Sequence, residues 1–192
     1  MRSNDKVVVA LALGVWVAAL IGFGAVSPDF GQLRHPVALL GALGEPHALA
    51  FNLLGFVLPG LLLAGLAWRW RSSATDGGWG ARIGLQLLLL SALAFAAQGV
   101  LPLEPTDLLA PASRAHAVAW SAWWIAFVAG GLLLAGGRGG RVGVVVVLGV
   151  LVLAMAGASL VPAALAQRLT FLGWFGWWLL AARGSATPVS RA

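Results

Sequence analysis

Between Val7 and Val26 the chain runs for twenty residues without a charged side chain, and comparable apolar runs recur almost to the C-terminus. A helix rises about 1.5 Å per residue, so about twenty apolar residues cross the hydrocarbon core of a bilayer. Six segments approach or reach that length: Val7–Val26, His47–Trp68, Ile83–Leu103, His116–Ala135, Val142–Val161 and the shorter Leu169–Ala182. Of the 192 residues, 60% are hydrophobic and only 9% charged. A soluble domain carries roughly 25% charged residues. No water-soluble fold of this size hides so much apolar surface. The pattern predicts an all-α integral membrane bundle of six transmembrane helices, one domain over residues 1–183. The tail 184–192 is small and polar and is expected to be disordered and cytoplasmic.

The basic residues predict the orientation. Arg2, Lys6, Arg69, Arg71, Arg82, Arg138, Arg141, Arg183 and Arg191 fall at one end of the spans, whereas Arg34, Arg114 and Arg168 fall at the other. Over short loops this bias places the first group in the cytoplasm. Both termini are then cytoplasmic, as an even number of spans requires, and the expected location is a bacterial inner membrane. The net charge of +6 is spread one or two residues at a time beside apolar runs. That is the distribution of orientation signals, so nucleic-acid binding is set aside. The first run is too long for a signal-peptide core and lacks a clear cleavage site, so a retained anchor helix is expected. There is no cysteine, which excludes disulfides and thiolate chemistry. There is no tyrosine either, and the ten tryptophans are expected to supply the interfacial anchoring.

The polar exception is Ser27–Asn52, which holds Asp29, Arg34, His35, Glu45 and His47. Pro36 suits a first helical position and Gly44 a stop, so Val37–Leu43 reads as a short interfacial helix between spans 1 and 2. Glu45 then sits at the mouth of the second span and His47 in its first turn. A carboxylate there also satisfies the helix dipole without any other role. The second outer connection adds Glu104, Asp107, Arg114 and His116, so every histidine and four of the six acids share one end. Asn52 lies one turn below His47 and is read as part of a cavity floor.

These residues define the candidate site: Arg34, His35, Glu45, His47, Asn52, Asp107, Arg114 and His116, with the two arginines placed to meet an anionic headgroup. Imidazoles and carboxylates ligate metals. No pair here has the spacing that puts two ligands on one helical face, and no metal or cofactor is expected. Ser27, Ser113 and Ser121 lie in no nucleophile elbow. No charged residue falls at mid-membrane depth, which speaks against a proton relay. The small residues Gly14, Ala18 and Gly22 form a stripe on the first span that lets another helix approach closely. The leading expectation is a membrane protein binding a lipid or small amphiphile in an outer cavity. The alternatives are an accessory subunit of a larger membrane complex, and a membrane-embedded hydrolase or transferase using the outer histidines and acids.

The run His35-Pro36, Leu40-Gly41, Glu45-Pro46-x-Ala48, Phe51-Asn52-x-x-Gly55-Phe56 and Pro59-Gly60-Leu61 resembles a bacterial six-span membrane family known as domain of unknown function 998. The motif covers about thirty residues. The acidic connection around Glu104–Asp107 looks similar as well. The resemblance implies the six-span fold and the inner membrane, and carries no catalytic role.

Overall fold

The computed structural model describes residues 2–74 and 78–183. Asp76, one of two acids assigned to the cytoplasmic side, and the expected tail 184–192 lie outside them. The regular structure of the described residues is all helical, with no strand. Six long helices occur in order: α1 (Arg2–Val26), α2 (Ala48–Ser72), α3 (Trp79–Val100), α4 (Pro111–Leu133), α5 (Gly140–Leu160) and α6 (Ala163–Arg183). The first five are long and apolar enough to cross a membrane, which is the signature of a multi-pass membrane protein. At 21 residues α6 has the length, about 31 Å. Its opening turns carry Gln167, Arg168 and Thr170, and it is the least apolar of the longer elements after α2's second half.

The short α6 expected from the sequence starts six residues too late. Half-buried Gln167 and buried Arg168, which hid its beginning, bond the loop between α1 and α2, so the helix continues through them. Its tryptophans are also not interfacial. Trp16, Trp70, Trp123, Trp174, Trp177 and Trp178 are all buried inside the bundle, and only Trp68 and Trp79 are strongly exposed. Rings from α6 pair with aromatic rings of every other helix but α5, which Trp177 meets at Gly143 instead. Trp174 stacks on Phe95 of α3 at 4.5 Å, Trp16 of α1 meets Phe171 edge-on, Trp123 of α4 packs on Phe171, and Trp70 of α2 lies 5.4 Å from Trp178. Such pairs add about 0.5–1.5 kcal/mol each beyond area burial. In lipid this matters, because helices gain nothing from leaving water and must associate by packing.

Close helix approaches complete the frame. A Cβ at Gly60 would lie 2.7 Å from the backbone nitrogen of Ala96, and one at Gly130 would lie 2.9 Å from the carbonyl of Gly84. These glycines let α2 touch α3 and α3 touch α4. The Gly14 and Gly22 positions instead meet nothing within 4 Å, and Gly14, Ala18 and Gly22 are exposed. The small-residue stripe of α1 faces outward and packs no helix of this chain.

The sequence places a kink at Pro59-Gly60. The disturbance comes earlier, as a π-helical stretch over Asn52–Val57. Proline cannot accept the usual approach of the carbonyl four residues before it, here that of Gly55, and the wider π turn opens that space.

Candidate functional site

The helices alternate direction, so the chain has two ends. At one lie the connections 27–47, 101–110 and 161–162. The first of these is pinned from four directions. Val37–Gly41 forms a 3₁₀ helix, shorter than the expected interfacial helix. It is also buried rather than lying on the surface: Val37, Ala38, Leu40 and Gly41 are all inside. The Val37 N–H donates to Gln167 Oε1 at 2.7 Å, and Asn52 Nδ2 donates to the Gly41 carbonyl at 2.8 Å. A side chain on Gly41 would overlap the Asn52 amide, so glycine is required there. The Leu43 N–H donates to the Leu103 carbonyl at 2.9 Å, joining the connections 27–47 and 101–110.

The fourth support is Arg168. Its Nη1 donates to the His35 carbonyl at 3.0 Å and to the Ala164 carbonyl at 2.8 Å. Its Nε and Nη2 both reach Gln32 Oε1, at 3.2 and 3.0 Å, while Gln32 Nε2 donates to the Leu20 carbonyl. The guanidinium lies over the Phe30 ring, 5.8 Å from its centroid. A buried arginine satisfied by carbonyl and amide acceptors fixes the course of a loop that has little regular structure of its own.

That fixed loop and the start of α2 enclose a cavity of about 290 Å³ lined by Asp29, Phe30, His35, Leu39, Glu45 and His47, among others. His35 accepts the Gly31 N–H on Nδ1 at 3.0 Å, so its Nε2 carries the ring proton in the neutral form. Its ring lies 5.8 Å from Phe30. His47 is exposed, 6.1 Å from the ring of Phe23, and precedes α2 as its cap residue rather than sitting in the first turn. Glu45 caps nothing with its side chain: its backbone carbonyl accepts the Ala48 N–H. Among the described residues, the carboxylates of Asp29 and Glu45 and the imidazole of His47 hold no part of the fold by hydrogen bonds, and His35 is held at Nδ1 with its Nε2 left over.

The other expected site residues go elsewhere. Asn52 is a buried strut at the wall of a separate apolar groove of about 490 Å³, with Leu43, Leu49, Leu53 and Val100. Arg34 is exposed and lines two shallower cavities, one against Trp120 and Met155. Asp107 accepts the Leu109 N–H, Glu104 accepts from Thr106, and both backbones are tied to the hydroxyl of buried Ser113. Those acids hold their own turn. His116 is buried and its Nδ1 bonds the Leu101 carbonyl at 2.8 Å, which fastens α4 to the end of α3. Arg114 is exposed beside it and lines none of these cavities. Among the described residues no three of His, Asp and Glu gather as a metal-ligand set.

Gln167, Arg168 and Gln32 are functional supports that the sequence reading passed over. The available signal was an arginine in a helix with no acid nearby, a costly residue that needs a reason.

The opposite end is built otherwise. Asp5 forms an ion pair with Arg69 and accepts the Trp70 indole N–H at 2.8 Å. Arg138 stacks on Trp70 at 4.0 Å, and burial lowers its pKa from the usual guanidinium value, with Asp5 opposing that shift. No family model, curated protein or solved structure matches the chain.

Proposed function

We propose that the chain is a six-span protein of a bacterial inner membrane, with both termini cytoplasmic and the histidine end outward, that binds an amphiphile in the cavity of Asp29, His35, Glu45 and His47. The observation that carries this reading is that those four residues line one cavity, whereas Asn52, Glu104, Asp107, His116, Gln167 and Arg168 at the same end are occupied in holding loops. Two carboxylates and two imidazoles with no arginine in the wall favour a headgroup that donates hydrogen bonds or is cationic. The separate apolar groove at Asn52 offers a place for an acyl chain. The nine-to-three arginine and lysine bias supports the orientation. The resemblance to the family of unknown function 998 is consistent with this architecture.

The test is native mass spectrometry of protein extracted in mild detergent. The wild type is expected to retain a small amphiphile that Glu45→Gln and the double variant His35→Ala/His47→Ala lose. Equal retention by all three, or a bare wild type, overturns the reading.

The outward stripe Gly14, Ala18 and Gly22 favours a second reading, an accessory subunit that docks another helix on α1. The tryptophans of α6 offer no such surface, being buried in the bundle. Gly22→Leu is expected to break a co-extracted complex if the stripe forms it, and an unchanged complex removes this reading.

A further inference from the structure

At the arginine end, the last turn of α2 and the first two turns of α3 border a second cavity, of about 550 Å³, separate from the histidine pocket. Its wall contains Arg71, Trp79, Arg82, Ile83, Gln86 and Leu87. The five residues from α3 recur every three or four positions, so they form one face of that helix. Arg71 lies over Trp68 at 5.8 Å and Arg82 over Trp79 at 5.5 Å. Stacking on an indole holds a guanidinium by its flat face and leaves its N–H edge available for an oxyanion. Among the described residues no acid lines this cavity. Asp5, the described acid at this end, is engaged by Arg69 and Trp70.

Three further features select the ligand. Trp79 is 78% exposed, in the manner of an indole at the depth of lipid headgroups. Gln86 is exposed two turns into an apolar helix, where a bare amide facing acyl chains would be unfavourable unless a polar group meets it. Gly78 precedes α3 without a side-chain cap, so the first N–H groups of the helix add positive potential at the same mouth. Ile83 and Leu87 give the groove an apolar wall. We propose that this groove binds an anionic phospholipid, its phosphate held between Arg71 and Arg82, its glycerol or headgroup hydroxyls at Gln86, and an acyl chain along Ile83 and Leu87.

The experiment reconstitutes the full chain in nanodiscs of equimolar phosphatidylglycerol and phosphatidylcholine and counts the lipids retained by native mass spectrometry. Wild type is expected to keep phosphatidylglycerol in preference, and Arg71→Gln/Arg82→Gln to lower that preference by about thirtyfold, the equivalent of about 2 kcal/mol for two basic residues near a charged lipid. Gln86→Glu, nearly isosteric at an exposed position, places a carboxylate in the groove and is expected to lower it as well, independently of any effect of losing arginine on folding. Arg141→Gln removes an exposed arginine at the same end outside the groove and is expected to change nothing. No preference in the wild type, or an equal loss in Arg141→Gln, overturns the proposal. An excess of inorganic phosphate that displaces the lipid from the wild type marks a site for free anions and overturns it too.

Discussion

The two ends of this bundle solve opposite problems with the same few polar residues. At the histidine end a twenty-one-residue connection with one short 3₁₀ turn is held by groups from distant parts of the chain: the side chains of Gln167 and Arg168 from α6 and Asn52 from α2, and the Leu103 carbonyl from the next connection. At the arginine end the described turns are short, and charge is steadied on indole faces, with one ion pair between Asp5 and Arg69. The first end uses polar groups to fix backbone and so leaves Asp29, His35, Glu45 and His47 available at a cavity. The second keeps the guanidinium edges of Arg71 and Arg82 open at the surface. Directed hydrogen bonds specify a shape, whereas stacked arginines specify a field.

Breaking the first arrangement should have the largest effect. Arg168→Met keeps the bulk of the stem but strands the Gln32 amide oxygen and the His35 carbonyl, an expected loss of about 2 kcal/mol. Tryptophan fluorescence during denaturant titration reads that loss. Hydrogen exchange should place it in the loop 30–42, leaving the α4–α5 turn unchanged. Uniform exchange across both ends would mean that Arg168 supports the whole bundle and not this loop.

A smaller effect sharpens the role of the Asn52 strut. Asn52→Ala is expected to cost about 1–2 kcal/mol. Gly41→Ala should be destabilising alone, because its methyl overlaps the Asn52 amide, and much less so once Asn52 is alanine. Additive costs would show that the two positions do not share one contact. The smallest effect belongs to the arginine end. Asp5→Asn, at a pair whose Arg69 partner is 42% exposed, should cost about 0.5–1 kcal/mol. The difference between wild type and variant should shrink in high salt. A cost as large as that of Arg168→Met would erase the contrast between the ends.

Much of the frame was legible in the sequence, because apolar length is the direct signature of a helix in lipid. Five helices lie where their runs predict, with ends shifted by a few residues. The site was legible only as a region. Hydropathy reads Gln167 and Arg168 as an interruption, so α6 appeared short and its role in gripping the first connection was hidden. The tryptophans were misread for a related reason: composition counts indoles but does not say which side of a helix faces the bundle. His116 and Asp107 looked like partners of His35 and His47 because they share an end. Their hydrogen bonds to Leu101 and Leu109 instead commit them to local turns. Glu45 and His47 stand at the cavity because Pro46 and the start of α2 turn the chain there, a local feature that the sequence does carry.

The central claim is that these two ends face opposite sides of a membrane, the histidine cavity outward. The chain contains no cysteine, so a single introduced thiol reports alone. Leu43→Cys, 44% exposed beside the cavity, and Ser73→Cys, exposed at the end of α2, give the most direct test. A membrane-impermeant maleimide added to intact cells is expected to label Leu43→Cys at once and Ser73→Cys only after permeabilisation. Labelling in the reverse order, or of both thiols from one side, contradicts it.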